Sequence, residues 1–194
     1  MKKIFWGIIL ILVLCVIVAP RFLWERDQTR TLSLLIVDKT VPDQSYREHA
    51  GFIWTLNHLK IQAPQDLWNE ASDYLGFEPP PTGEKPPLEG PPLTAKNLEN
   101  KDWLVLADSY GVYRQDFRLA LQEAQDTELE SPDYSEKIYG GFDNDEVSAI
   151  ENFVSQGGHL WAEFNTFASP THGEPRKRLE KVLGLDWTGW AGRF

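Results

Sequence analysis

The sequence predicts an α/β fold: a three-layer domain with a mostly parallel sheet and helices on both faces, preceded by one N-terminal transmembrane helix. Apolar segments of strand length alternate with amphipathic segments of helical length, and this alternation is typical of parallel sheets. The clearest unit runs from Asp143 to Thr171, where a helical pattern, a Gly-Gly stop, a short apolar segment and a polar loop follow one another. An uncharged run from Ile4 to Ala19 precedes the domain.

The composition limits the classes of function. A chain of 194 residues has room for one domain and a short appendage. Residues 1–30 carry five basic and two acidic side chains, so the total net charge of −10 leaves about −13 for residues 31–194. An acidic domain without a basic stripe excludes nucleic acid as the expected partner. Cys15, the sole cysteine, lies in the apolar N-terminus, so the rest of the chain has no disulfide and no cysteine nucleophile.

Residues 1–24 are predicted to be a membrane anchor and its flank, with residues 4–19 in the bilayer. The run is slightly short for a span unless Lys2 and Lys3 snorkel and Trp24 lies in the interface. A cleaved signal peptide is the alternative, but no small-x-small site precedes Pro20. We therefore expect a single-pass protein of the inner membrane whose domain is extracytoplasmic.

Residues 31–194 are predicted to form the α/β domain. Thr31–Thr40 is the first buried strand, and the spacing of Ser45 and Glu48 predicts a capping box for a helix over 46–58. Half of the residues from Pro79 to Pro92 are proline, which excludes helix and sheet. This segment is interpreted as an inserted spacer, with peptide-ligand behaviour as the alternative.

The second half repeats the alternation. Asp102–Tyr113 is the next predicted strand, entering a turn at Asp108, and residues 118–130 are predicted to be helical. Asp143 and Glu146 have capping-box spacing, and the helix that they begin is expected to stop at Gly157-Gly158.

The last predicted strand, His159–Asn165, is expected to be buried. Thr171 and Glu174 predict a further capping box for a helix that stops at Gly184, and the domain is expected to continue beyond Phe194.

Polar side chains follow each predicted strand, and ligands of parallel sheets bind at the carboxyl ends of the strands. We predict Glu163 and Asp108 as candidate catalytic groups. The candidate ligand-binding residues are Asp38, Lys39, Tyr46, His49, Ser109, Tyr110, Tyr113, Asn165 and Thr166. No metal or cofactor motif is present in the sequence, so none is predicted.

Structural explanations compete with each of these assignments. Asp38 and Asp108 could order the turns that follow their strands. His49 could be a packed, hydrogen-bonded imidazole. Glu163, expected inside a covered sheet, could form an ion pair with Lys39 or Arg47 as readily as take part in catalysis.

The segments D-S-Y-G (Asp108–Gly111), DEVSAIENFVSQGG and HLWAEFN resemble the class I glutamine amidotransferase-like fold, which is flavodoxin-like in outline. In that superfamily the strand that corresponds to HLWAEFN leads into a G-x-C-x-G nucleophile elbow. The elbow position here reads E-F-N-T-F-A-S (Glu163–Ser169), without cysteine or glycine. The resemblance therefore implies the fold without amidotransferase activity.

The segments IVDKTVP, YREH, DYLGF, ADSYGVY, AEFNTFASPT and WTGWAGRF also resemble uncharacterised bacterial membrane-anchored proteins. This resemblance implies one N-terminal anchor, a domain of this fold and a continuation beyond Phe194.

The first hypothesis is an extracytoplasmic domain that binds a small or carbohydrate-like envelope ligand. The second is a hydrolase or transferase that uses strand-end carboxylates. The third is an envelope protein-interaction scaffold whose contact is the proline-rich segment and whose protein partner is unknown.

Overall fold

The computed structural model describes residues 2–63, 67–81, 84, 87, 89–117 and 136–189. Within these ranges the helices are α1 (Lys2–Arg26), α2 (Arg47–His58), α3 (Asn144–Ser155) and α4 (Gly173–Leu183). The strands are β1 (Arg30–Thr31), β2 (Leu34–Asp38), β3 (Ile61–Gln62), β4 (Leu75–Gly76), β5 (Trp103–Asp108), β6 (Val112–Tyr113), β7 (Lys137–Tyr139) and β8 (His159–Ala162).

The described strands β4, β2, β5 and β8 form one parallel sheet in that order. Helix α2 packs on one face, with Ile53 and Leu56 against Ile36 and Val105. Helices α3 and α4 cover the other face in a second apolar cluster. The predicted fold class, a parallel sheet between helices, is confirmed.

The central strands β2 and β5 are apolar on both sides because helices cover both faces of the sheet. Successive residues alternate between the two clusters: Ile36 and Val105 face α2, whereas Val37 and Leu104 face α3. Each of these four side chains is buried. Burial of such a side chain contributes about 1.5–3 kcal/mol, so these two strands supply much of the stability of the sheet.

The first predicted strand is divided in the structure. Arg30–Thr31 pairs with β3, and the central strand begins only at Leu34. The chain changes ladders at Ser33, whose carbonyl accepts from Asp102 N and Trp103 N.

The second predicted strand is also shorter than expected. β5 ends at Asp108, and Val112–Tyr113 pairs instead with the antiparallel strand β7. The helix predicted over 118–130 lies outside the described residues.

One of the three predicted capping boxes is present. The Asp143 carboxylate accepts from Asp145 N and Glu146 N, and Glu146 Oε2 accepts from Asp143 N. The box predicted at Ser45 is wrong, because Tyr46 is the N-cap and makes no side-chain cap. The box predicted at Thr171 is also wrong: α4 begins after His172, and Thr171 Oγ1 accepts from Phe142 N instead.

Strand β8 differs from its prediction in length and burial. It ends at Ala162 and lies at one edge of the described sheet. Leu160 and Ala162 pack against the α3 cluster, whereas His159 and Trp161 are exposed. One face of this strand therefore packs on the core as predicted, but the second face is not covered by the described residues.

Helix α1 meets the length and composition of a membrane-spanning segment. An 18-residue window within Lys3–Arg26 has a mean hydropathy of 2.6, and none of that window is buried in the protein. The chain passes from α1 through β1 to the amino end of β2. The apolar helix therefore joins the domain at the amino edge of the parallel sheet.

Candidate functional site

The three strand-end carboxylates lie at the same edge of the sheet. Asp38 is opposite Asp108 in the register of β2 and β5, and Lys39 N donates to Asp108 O at 2.9 Å. Glu163 N donates to Leu106 O at 2.9 Å. We call this carboxyl edge the rim, and define it by Asp38, Lys39, Asp108, Ser109, Tyr110 and Glu163.

Asp38 and His49 form a fully buried pair at the rim. His49 Nδ1 lies 2.6 Å from Asp38 Oδ2, and His49 Nε2 donates to Glu70 O at 2.8 Å. Because a carbonyl only accepts, Nε2 carries a hydrogen, and a second proton must lie between Nδ1 and Oδ2. Asp38 Oδ1 accepts from Thr40 N, so the pair is satisfied within the protein.

The His49–Asp38 contact explains the register of α2. With Tyr46 as N-cap, Glu48 occupies the second helical position and binds Arg47 instead of the cap. This start places His49 where its ring reaches Asp38 and packs on Tyr74, with ring centroids 4.5 Å apart.

Lys39 and Glu146 form a second buried pair. Lys39 Nζ donates to both carboxylate oxygens of Glu146 at 2.6 and 2.7 Å and to Gly141 O at 2.7 Å. It also lies 4.6 Å from the Phe142 ring centroid. Burial lowers the pKa of Lys39, while Glu146 acts in the opposite direction. Glu146 also accepts from Leu93 N, so it joins the cap of α3 to the end of the proline-rich segment.

Asp108 orders the turn after β5. Its Oδ1 accepts from Tyr110 N at 2.7 Å, and Gly111 N donates to Thr40 Oγ1 at 2.9 Å. Burial raises the pKa of Asp108, and the nearby carboxylates of Asp38 and Glu48 raise it further.

Ser109, Asn165 and Thr166 connect loops of the rim. Ser109 Oγ donates to Asn165 O at 2.8 Å, and Thr166 Oγ1 donates to Glu163 O at 2.6 Å. Ser109 and Thr166 are buried. Their hydroxyl groups are therefore engaged with backbone rather than directed to solvent.

The sequence predicted that Glu163 lies inside a covered sheet, and this prediction is wrong. Glu163 is partly exposed because β8 is an edge strand and has ended one residue earlier. Its Oε1 accepts from Trp161 Nε1 at 2.7 Å. The proposed ion pairs are wrong, because Lys39 binds Glu146 and Arg47 binds Glu48.

Aromatic side chains form the exposed part of the rim. Tyr110 is 43% exposed, and its ring centroid lies 5.2 Å from that of the partly exposed Tyr113. Tyr46 is partly exposed beside Tyr74, with ring centroids 6.0 Å apart. The rim thus presents aromatic surface outside a layer of charged pairs.

A pocket of about 340 Å³ adjoins the rim at Lys39. It is open to solvent and is lined in part by Lys39, Lys137, Gly140, Gly141 and Pro170. Its size is within the range of sites for small ligands.

No family model, curated protein or solved structure matches this chain. In the described ranges, no group of three or more His, Cys, Asp and Glu side chains converges as a metal site would require.

Sequence reasoning missed Phe164. This residue is 69% exposed and has a φ of 46°, a left-handed conformation that costs a non-glycine residue about 1–2 kcal/mol. It directly follows Glu163 in the segment where the resemblance places an elbow. No residue type at position 164 signals this conformation, because it is usually adopted by glycine or asparagine and this position is phenylalanine.

Proposed function

We propose that this protein is a membrane-anchored, extracytoplasmic α/β domain that binds a small or carbohydrate-like envelope ligand at its rim. The observation that carries this proposal is the pair of aromatic rings of Tyr110 and Tyr113 at the rim, and a pocket of about 340 Å³ that Lys39 of the rim helps to line supports it. Aromatic rings offer an apolar face together with a polar hydroxyl, which suits ligands of mixed polarity such as sugars.

The buried charged side chains at the rim are paired with one another, and this favours a ligand-binding function over a catalytic one. His49 is paired with Asp38, and Lys39 with Glu146, each pair within hydrogen-bond distance and each buried. A general base needs an accessible lone pair within reach of substrate. These pairs instead stiffen the support beneath the tyrosines.

Helix α1 supports the membrane localisation that is part of the proposal. Helix α1 is long and apolar enough to cross a membrane, and it joins the domain at the edge of the sheet opposite the rim. The lack of a small-x-small cleavage site before Pro20 favours an uncleaved anchor in the inner membrane.

The α/β architecture supports a domain that is amidotransferase-like in fold. Phe164 has a left-handed backbone in the segment where the resemblance places an elbow, but its side chain is not a nucleophile. The only cysteine of the sequence is Cys15, in the apolar helix. We therefore expect binding without glutamine hydrolysis.

Ligand binding is tested with the full chain in nanodiscs by saturation-transfer NMR. The probes are soluble peptidoglycan disaccharide fragments and, as a neutral glycan, maltohexaose. Tyr110→Ala should weaken binding by roughly two- to tenfold, since an aromatic contact is worth roughly 0.5–1.5 kcal/mol. Trp54→Ala, at the opposite edge, is the matched control and should leave binding unchanged. Equal loss in both variants, or no binding of either probe by wild type, would contradict the proposal.

A hydrolase or transferase is the second candidate, favoured by the raised pKa of Asp108, a property of general acids. Asp108 and Glu163 would then serve as acid and base. Turnover of envelope glycosides or esters that Glu163→Gln abolishes, without a change in melting temperature, would support this candidate over simple binding. The scaffold hypothesis stays a prediction, since no partner chain is present and five residues of the proline-rich segment lie outside the described residues.

A further inference from the structure

The end of helix α1 is fastened to the amino edge of the domain. Trp24 Nε1 donates to His58 O at 2.6 Å. Lys60 Nζ lies 4.6 Å from the Trp24 ring centroid and donates to the carbonyl groups of Glu25 and Asp27 at 2.9 and 3.1 Å. Only three residues separate α1 from β1, which pairs with β3. The helix and the domain are therefore joined without a long linker.

Two large apolar side chains are exposed beside this junction. Trp54 is 66% exposed and Leu59 is 56% exposed. The Trp54 ring stacks on His58 at 5.0 Å with an interplanar angle of 8°, and His58 in turn contacts Trp24. An open space of about 600 Å³ remains between the helices, lined by Pro20, Arg21, Trp24 and His58. Apolar surface thus continues from α1 onto α2.

The depth of Trp24 in a bilayer follows from the length of α1. The segment from Ile4 to Trp24 has 21 residues and extends about 30 Å, the thickness of the hydrocarbon core. Trp24 would then lie at the interface, where tryptophan is enriched. Arg21 and Arg26 lie within one helical turn of Trp24, and Lys60 contacts its ring, so three positive charges lie near the depth at which anionic headgroups are found.

We propose that Trp24, Trp54 and Leu59 form a juxtamembrane surface that seats the domain on the phospholipid bilayer. Trp54 and Leu59 enter the interfacial region of the leaflet that α1 leaves. The amino edge of the sheet faces lipid and the rim faces away from it. This inference rests on the membrane anchoring proposed above, and it implies that the ligand approaches from the aqueous side.

The test uses the full chain in liposomes of phosphatidylethanolamine and phosphatidylglycerol whose acyl chains are brominated near the headgroup. Bromine quenches only tryptophans that contact it, and unbrominated liposomes give the reference emission. Trp54→Phe is compared with Trp161→Phe, which changes a tryptophan that is 49% exposed elsewhere in the domain.

We expect the quenched share of emission to fall in Trp54→Phe, by about the contribution of one of the eight tryptophans. It should rise in Trp161→Phe, because an unquenched tryptophan is removed. A rise in both variants would overturn the juxtamembrane surface. The conservative change to Phe keeps the stacking on His58, and circular dichroism checks the fold.

Trp6 separates the two ways in which the proposal can fail. It lies inside α1, so its quenching reports insertion of the helix alone. If Trp6→Phe shows that Trp6 is quenched and Trp54 is not, the juxtamembrane surface is wrong and the anchor stands. If neither is quenched, both are wrong. Glycans are absent from this measurement, so ligand binding is judged separately by the NMR titration.

Discussion

The ion pair of Lys39 and Glu146 joins three segments of the chain through two side chains. Each charged group costs several kcal/mol to remove from water, and the cost is offset only while both partners and their hydrogen bonds are present. Here the ammonium group has a carboxylate and a carbonyl, and the carboxylate also has backbone donors from Leu93 and Asp143. Loss of one partner therefore leaves a buried charge without compensation.

The variant Glu146→Gln should lower the free energy of unfolding by about 3 kcal/mol, because it leaves the Lys39 ammonium buried without its counter-charge. Urea unfolding of the full chain in detergent, followed by circular dichroism, measures the change. Glu151→Gln is the matched control, since it removes the carboxylate that Arg178 binds at the protein surface. A loss of similar size in both variants would show that burial of the first pair has no special cost.

Asp108 should make the domain less stable as the pH rises. Burial raises its pKa above the ordinary value of 3.8, so the folded state holds this proton more strongly than the unfolded state. Stability is therefore lost as pH increases from 3.8 through the raised value. Asp108→Asn keeps the acceptor for Tyr110 N and removes the charge.

The stability of the Asp108→Asn variant relative to wild type should grow over that pH interval and then level off. Thermal unfolding at a series of pH values measures the difference. A difference that shrinks with increasing pH would mean that the carboxylate is stabilised, rather than destabilised, in its ionised form.

Among the elements, the turn after β5 depends on two glycines that touch. Gly111 has a φ of 105°, and a Cβ there would lie 2.3 Å from Tyr139 O. A Cβ on Gly140 would lie 2.4 Å from Gly111 Cα. This contact brings β6 and β7 together and holds Tyr110 at the rim.

Gly111→Ala should cost more than the ~1–2 kcal/mol of a left-handed alanine, because the backbone of β7 must also move. Gly157→Ala is the control: its φ is 96°, but nothing lies within 4 Å of the added Cβ. Chemical unfolding compares the two variants. If both lose the same amount, the contact between the glycines is not what makes this turn require glycine.

Local sequence signals predicted the ends of a helix correctly where those ends depend only on neighbouring residues. The Asp143 cap, its partner Glu146 and the stop at Gly184 need only neighbours along the chain, and all three are present. The cap expected at Ser45 failed because the long-range bond from His49 to Asp38 sets the register of α2. The cap expected at Thr171 failed because the hydroxyl binds Phe142 N, 29 residues away.

For the whole molecule, the position of the candidate site followed from topology. Parallel strands end at the same edge, and this rule alone placed Asp38, Asp108 and Glu163 together. Which residues would pair was beyond the sequence, because Lys39 and Glu146 are separated by 107 positions. The exposure of Glu163 was also beyond it, since only the sheet order shows that β8 is an edge strand.

In the whole molecule, we propose, the rim lies at the edge of the sheet remote from the bilayer. Helix α2 gives the scale: from His49, beside Asp38, to His58, beside Trp24, it rises about 14 Å. Ligand binding at the rim and lipid contact at Trp54 would then occur at opposite edges of one domain.

The most direct measurement places nitroxide labels at Leu59→Cys and Tyr110→Cys in a Cys15→Ala background. The full chain is held in nanodiscs whose lipids carry gadolinium chelates, and pulsed electron spin resonance gives the distance of each label from the membrane surface. We expect the label at position 110 to lie farther from the lipid than the label at 59, by on the order of 14 Å. Equal distances, or a label at 110 closer to the lipid, would contradict it.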